Sequence, residues 1–315
     1  MKQLVTLLLL LLAAPLAQAQ SVNQPSYKLW YDRPASTWTE ALPLGNGRLG
    51  AMVYGNPAVE QLQLNEETLW AGQPNSNVRP DAAPYIDQVR QLVFAGKYLE
   101  AQTLATEKIM PSNVTNSGMP YQTFGSLYVA FPAAHARYTD YYRELSLDSA
   151  RTLVTYRVDG VTYRRETIAS FTNQVVMMKL TASRPGMISF SASMATPHQD
   201  PLIATEASCV TLSGMGSNHE GVKGKVAFQG RLTATRQGGE MECRDGVLTV
   251  EGANEAVIYV SIATNFVNYH DVSGDETARA KAYLEHALQC PFDEDVKAHA
   301  AFYRRYLTCS CLYLG

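Results

Sequence analysis

The sequence predicts a mainly β protein: a large antiparallel β-sandwich (a supersandwich) with a short helical insertion and a C-terminal helical linker. Three observations carry this. Between Lys28 and about Val267, short runs alternate apolar and polar residues with the period of two that a half-buried strand requires. Asp-Gly pairs punctuate the runs at Asp159-Gly160 and Asp245-Gly246, and Asp-Gly tolerates the two positive φ angles of a tight hairpin turn. Helical periodicity is confined to two places, near 84–109 and after 275.

Taken in order, Gln61-Leu62-Gln63-Leu64 alternates cleanly, as does Leu145-Ser146-Leu147-Asp148. Leu153 to Val158 and Val161 to Ile168 flank Asp159-Gly160 and read as a hairpin. Val175 to Leu180 reads as a buried strand, and Ile188-Ser189-Phe190-Ser191-Ala192 alternates again. Val247 to Val250 follows Asp245-Gly246, and Ala256 to Ile262 has the length and β-branching of a core strand. Many short strands with regular turns indicate a sandwich.

Pro84 opens the first helical pattern, with Ile86, Val89, Leu92 and Val93 on one face and Gly96 at its end. A second helix is expected from Lys97 to Ile109, stopped by Pro111. Near the C-terminus Asp275 caps a helix running to Leu288, Cys290-Pro291 breaks it, and Asp293 or Asp295 leads a last helix to about Tyr306.

The first residues are set apart from this fold. Lys2, the apolar run Leu4 to Leu12, and Ala17-Gln18-Ala19 have the pattern of a cleavable secretory leader, placing the mature chain in the periplasm or outside a bacterial cell. That run is short for a bilayer, and no other stretch reaches membrane-spanning length. In the 315-residue chain 46% of residues are hydrophobic and 17% charged, a globular composition. The net charge of −3 offers no basic field for nucleic acid or anionic lipid. Most of the 18 tyrosines are expected to fill pleated strand surfaces. Export permits a disulfide, and Cys209 and Cys243 both fall in strand-like sequence, but five cysteines leave at least one thiol unpaired.

Two stretches invite a chemical reading. Gly45-Asn46-Gly47-Arg48-Leu49-Gly50 has three glycines in six residues, yet it lacks the Lys-Ser or Lys-Thr and the following helix of a phosphate-binding loop. A strand-to-strand turn with Arg48 in a structural bond is the plainer expectation. Glu66 and Glu67 sit beside Trp70, but adjacent strand residues point to opposite faces. Glycosidic hydrolysis needs carboxyls facing each other about 5 to 9.5 Å apart. Neither Glu is therefore assigned to acid/base work. The six histidines show no i,i+4 metal spacing, Cys309-Ser310-Cys311 has no partner pair, and no G-x-S-x-G elbow occurs, so no metal or cofactor is expected. Asn113-Val114-Thr115 matches a glycosylation sequon, a triplet that also arises by chance.

Several segments together carry a resemblance. They are Leu29-Trp30-Tyr31-Asp32-Arg33-Pro34-Ala35, Trp38 to Gly50, and Leu64-Asn65-Glu66-Glu67-Thr68-Leu69-Trp70-Ala71-Gly72. Tyr121 to Leu127, Tyr142 to Leu147 and Tyr163-Arg164-Arg165-Glu166 continue the pattern. In combination they resemble the N-terminal domain of glycoside hydrolase family 95, over essentially all of the mature chain. The resemblance implies a β-sandwich, a helical linker, an (α/α)6 barrel and a C-terminal β domain. It also implies inverting hydrolysis of terminal α-L-fucosyl or related α-L-galactosyl linkages. The family's catalytic Glu, Asn and Asp residues lie in the barrel and match no position here, so no catalytic residue is carried over. Thr308 to Gly315 only loosely matches the family's Asp-Arg-Val-Ser-Leu-Asp-Leu-Gly, and the chain is read as truncated before the barrel.

The expected organisation is a leader over 1–19, a sandwich over 20–272 and a linker over 273–315. Partners are a fucosylated glycan, reached through the barrel, and the barrel itself, in cis or from a split gene. Asn46, Arg48, Asn65, Glu66 and Trp70 are the candidates for a substrate-adjacent or barrel-facing surface, since Gly-rich loops and an exposed Trp suit close contact. An alternative is a stand-alone carbohydrate-binding module using Trp30, Trp38 or Trp70 as a platform, although three tryptophans in a sandwich are more often core. An N-domain from a related (α/α)6 phosphorylase is a third reading, which the Leu64 to Trp70 run disfavours.

Overall fold

A computed structural model describes residues 27–76, 78–111 and 118–309. The leader, the Asn113–Thr115 sequon and Cys311 lie outside the described residues.

Two antiparallel sheets form the body. The nine-stranded sheet runs in the order β1 (Lys28–Tyr31), β6 (Thr139–Ser146), β7 (Arg151–Val158), β8 (Val161–Ala169), β9 (Val176–Ala182), β16 (Glu255–Thr264), β13 (Ala227–Gln237), β12 (Cys209–Met215) and β11 (Leu202–Glu206). The seven-stranded sheet runs β14 (Glu240–Arg244), β15 (Val247–Ala253), β10 (Ile188–Ala195), β5 (Gly125–Ala130), β4 (Val59–Glu66), β3 (Leu49–Val53) and β2 (Leu42–Gly45). The mainly β expectation holds. Both Asp-Gly turns form, with φ of 47° and 76° at Asp159 and Gly160 and 49° and 77° at Asp245 and Gly246. They close the β7–β8 and β14–β15 hairpins, where Val158 pairs with Val161 and Arg244 with Val247.

Alternation decides which side chains enter the core. On β7, Thr152, Val154, Tyr156 and Val158 point inward, and on β8 Val161, Tyr163, Arg165 and Thr167 do. On β4 the inward set is Glu60, Leu62, Leu64 and Glu66. β16 is buried at nine of its ten positions, because its outer face is also covered. The cover is α3 (Glu276–Ala287) and α4 (Phe292–Leu307), which close a second apolar layer of Ile168, Val175, Met177, Val257, Tyr259, Leu284 and Phe292. Burial on both faces is why this strand reads as continuously apolar.

Asp275 caps α3 as expected, its Oδ1 accepting from the Ala278 amide at 2.8 Å. The cap proposed for α4 needs correction. Pro291 precedes that helix with no side-chain cap, and Asp295 is fully buried one turn in, where Ser170 Oγ (3.0 Å) and Thr172 Oγ1 donate to it. Asp295 docks α4 on the β8–β9 turn instead of opening the helix.

The helical insertion is α1 (Ala83–Phe94) and α2 (Tyr98–Lys108), near the expected bounds. Its apolar stripe meets mainly the partner helix: α1 has no buried residue and α2 only Ala101, while Phe94, Tyr98 and Leu99 are exposed. No helix among the described residues is long and apolar enough to cross a membrane. Cys209, Cys243, Cys290 and Cys309 are free thiols, so the Cys209–Cys243 bond left open by the sequence is not formed.

A cluster at one end of the core makes the fold sensitive to acid. His135 is buried against Tyr156, Tyr163 and Phe131, its Nδ1 2.9 Å from the Tyr156 hydroxyl. Burial, aided by the Arg165 guanidinium, lowers its pKa to about 4. A histidine depressed below its unfolded value contributes stability above about pH 6.5 that drains away as pH falls toward 4. Between pH 7 and pH 5 this group should remove about 2 kcal/mol of stability. Urea unfolding at both pH values checks it: His135→Gln should lose correspondingly less than the wild type over that interval, and an equal loss would refute the assignment.

Candidate functional site

The glycine-rich stretch is the β2–β3 turn. Gly45 and Gly50 form its last pair, and Gly47 takes a φ of +90°, open to glycine at no steric cost. Asn46 closes the turn from inside. Its Oδ1 accepts from the amides of Arg48 (3.0 Å) and Leu49 (2.6 Å), and its Nδ2 donates to the Ser170 carbonyl at 2.7 Å. Those two amides are spent on Asn46, so the turn does not offer them to a phosphate, in agreement with the missing motif residues.

Arg48 reaches across to the other sheet. Its guanidinium donates to Gln174 Oε1 (3.0 Å), to the Gln174 carbonyl (2.6 Å) and to the Ile262 carbonyl (2.6 Å), and lies 4.4 Å above the Tyr283 ring of α3. The same group stands 3.4 Å from Glu66 Oε1. The other Glu66 oxygen accepts from the Thr68 amide (2.7 Å) and hydroxyl (2.6 Å). Burial raises the Glu66 pKa, and the bonds from Thr68 and the charge of Arg48 offset this only in part. Glu66 is 3% exposed, while Glu67, in the turn that follows β4, faces solvent, so the two side chains diverge. The other inward carboxylate of β4, Glu60, is six residues away, about 20 Å along the strand at ~3.3 Å per residue. That separation is far beyond the facing geometry that glycosidic hydrolysis uses. Among the described residues, no group of three or more His, Cys, Asp or Glu is arranged to hold a metal.

Beyond β4 the chain turns outward. Leu69 is fully buried and anchors the loop, whereas Trp70 is 41% exposed. The indole is held in place: Nε1 donates to the Glu67 carbonyl at 2.9 Å, and the Tyr121 ring meets it edge-on at 5.4 Å. Tyr121 is itself fixed by its hydroxyl, which donates to the Glu66 carbonyl at 3.2 Å. Gly72 takes a φ of +69°, and a Cβ there would lie 2.4 Å from Met119 Sδ. The glycine thus lets Met119 pack beside Trp70. Trp70 and Met119, with Phe266, Tyr269 and Val272 from the segment after β16, line an open cleft of about 190 Å³. Gln73 and Asn75 add carboxamides to its lining, and among the described residues no carboxylate, ammonium, guanidinium or imidazole side chain lines it.

The five candidate residues therefore have different settings. Asn46, Arg48 and Glu66 form one connected group that joins the two sheets and α3. Asn65 lies on the opposite face of β4, paired across the ladder with Gly50. Trp70 stands at the surface, next along the chain from that group. The expectation that tryptophan fills the core is corrected: Trp30 and Trp38 are each 56% exposed, and Trp70 is exposed too. Trp30 points outward from an edge strand onto Tyr142, and Trp38 occupies a short 3-10 turn, so neither takes an inward ladder position. Sequence reasoning missed Phe266 and Tyr269, which reach the cleft from a segment almost 200 residues downstream; no local pattern links them to Trp70.

The comparisons agree with this architecture. Residues 29–269 match the family model described as glycosyl hydrolase family 65, N-terminal domain. The chain is 32% identical over 300 residues to Alpha-L-fucosidase 2 of Arabidopsis thaliana, covering 87% of this chain and 34% of that protein. It is 27% identical over 271 residues to a protein of Aspergillus niger named "Probable alpha-fucosidase A", covering 81% of this chain and 32% of the relative. The chain thus spans about a third of the length of the curated relatives it matches. A solved structure described as "Putative kojibiose phosphorylase from human microbiome" superposes with a TM-score of 0.51 at 9% identity, over 89% of this chain and 38% of that one, a likeness of fold alone. The two-sheet sandwich, its helical cover and the match over 29–269 make this chain a member of the glycosyl hydrolase family 65 N-terminal domain family, the N-terminal domain of a glycoside hydrolase.

Proposed function

We propose that the chain is the exported, non-catalytic N-terminal part of an α-L-fucosidase of the family 95 type, whose hydrolysis is carried out by a helical barrel outside this chain. The observation that carries the reading is the wide separation of the two inward carboxylates of β4, each buried and each held by an arginine. The similarity to fucosidases over most of the chain supports the substrate class, a terminal α-L-fucosyl group of a glycan. The exposed apolar residues of the α1–α2 hairpin, Phe94, Tyr98 and Leu99, support a role in packing against a further domain. In this reading Asn46, Arg48 and Glu66 stiffen the end of the sandwich, and Asn65 and Trp70 present it to the barrel or its substrate. Incubating the purified chain with 2′-fucosyllactose should release no fucose above the blank. Fucose release that survives rigorous purification would overturn the proposal.

A second reading, a stand-alone carbohydrate-binding module, is favoured by one observation: all three tryptophans are exposed. It predicts glycan binding with no enzyme partner present.

A further inference from the structure

We infer that the cleft beside Trp70 is a non-catalytic binding site for a single neutral pyranose residue, held by its C–H face. The inference rests on the carbohydrate-handling reading above and adds a place and a mode of binding. Trp70 differs from the other exposed tryptophans in its setting. Trp30 is covered in part by Tyr142, and Trp38 sits on a turn, whereas Trp70 forms a wall of a cavity.

The indole is preorganised. The bond from Nε1 to the Glu67 carbonyl and the edge contact with Tyr121 fix its orientation before any ligand arrives, so little side-chain freedom is lost on binding. A fixed indole face with apolar neighbours suits the polarised C–H groups of a sugar ring, which are attracted to the negative face of the π-system. At about 190 Å³ the cleft is smaller than the ~300–1,000 Å³ of drug-sized sites, which suits one ring of a glycan whose remainder stays in solvent. The polar rim is equally specific. Gln73 and Asn75 bring carboxamides, the usual partners of sugar hydroxyls, and among the described residues the lining carries no carboxylate, ammonium, guanidinium or imidazole. A charged sugar would find no counter-ion there. A bound sugar would find no acid/base pair to cleave its linkage, so the site holds without hydrolysing.

Saturation-transfer NMR on the whole chain tests this, with methyl β-D-galactopyranoside as the probe, because its axial 4-hydroxyl leaves the C3, C4 and C5 hydrogens on one face. Saturation should reach those three hydrogens most strongly, with a dissociation constant on the order of millimolar for so small a ligand. Trp70→Ala should abolish the transfer, Tyr269→Ala should weaken it several-fold, and Trp30→Ala should leave it unchanged. Tyr269 is 76% exposed, so its variant reports on the cleft even where Trp70→Ala disturbs the fold. Absence of transfer to the wild type, or transfer unaltered in Tyr269→Ala, would sink the site. Fucose release by the chain alone would instead sink the non-catalytic reading and leave the cleft standing, so the two failures are separable.

Discussion

Replacing Arg165 by Met should cost about 3–5 kcal/mol of folding stability, the largest single effect expected in this protein. Arg165 lies on β8 in one sheet and Glu60 on β4 in the other; they are 2% and 0% exposed, with 3.3 Å between Nη1 and Oε2. The guanidinium also donates to the carbonyls of Asn56 (2.7 Å) and Pro57 (2.6 Å) and to the Tyr156 hydroxyl (2.5 Å), and it stacks 3.8 Å from the Phe131 ring. Methionine fills much of the volume but leaves those acceptors without a donor inside the core. It also leaves Glu60 with no opposite charge. Burial already raises the Glu60 pKa against the pull of Arg165, so without the arginine the carboxyl is pushed further toward its protonated form. The double variant Arg165→Met with Glu60→Gln should therefore be more stable than Arg165→Met alone. Urea unfolding of the three proteins measures both effects. An Arg165→Met protein within about 1 kcal/mol of wild type would show that the pair contributes little beyond packing.

Arg48→Ala should cost about 3 kcal/mol, the lower end of the same range, because its side chain is 15% exposed and water can reach part of the gap. The loss has several sources. The Ile262 and Gln174 carbonyls lose their donor, Glu66 keeps a buried carboxyl supported only by Thr68, and Tyr283 of α3 loses the cation above its ring. Arg48→Lys should recover less than half of the loss, since one ammonium does not span four acceptors arranged around a planar fork. Recovery close to wild type would mean that charge alone matters here and that the directed bonds do not. The same unfolding series reports on the end of the sandwich that carries Trp70, because Glu66 and Trp70 share one short segment.

These two arginines show where local sequence was informative and where it was not. The alternation on β4 assigns Leu62 and Leu64 to the core, and continued in both directions it also assigns Glu60 and Glu66. On β8 the same alternation turns Arg165 inward. Charges of opposite sign at inward positions of two strands were a readable signal for a buried pair, since neither tolerates burial alone. The signal did not say which arginine meets which glutamate. Asp295 shows the converse: it carries the chemistry of a helix cap, but a packing position on the β8–β9 turn overrode that local preference. The tryptophans misled because hydrophobicity ranks a residue without saying which face of an edge strand or loop it occupies.

The sequence by itself determined the β class, the two Asp-Gly hairpins, the insertion hairpin and the capped start of α3, since each depends on contacts a few residues apart. Only the tertiary structure decided the strand order that sets β9 beside β16, the partners of Arg48 and Arg165, and the union of Trp70 with Phe266 and Tyr269. Those arrangements join residues up to some two hundred positions apart, and local backbone preference carries no information about which distant strands share a sheet. They are selected by the burial of whole faces against one another.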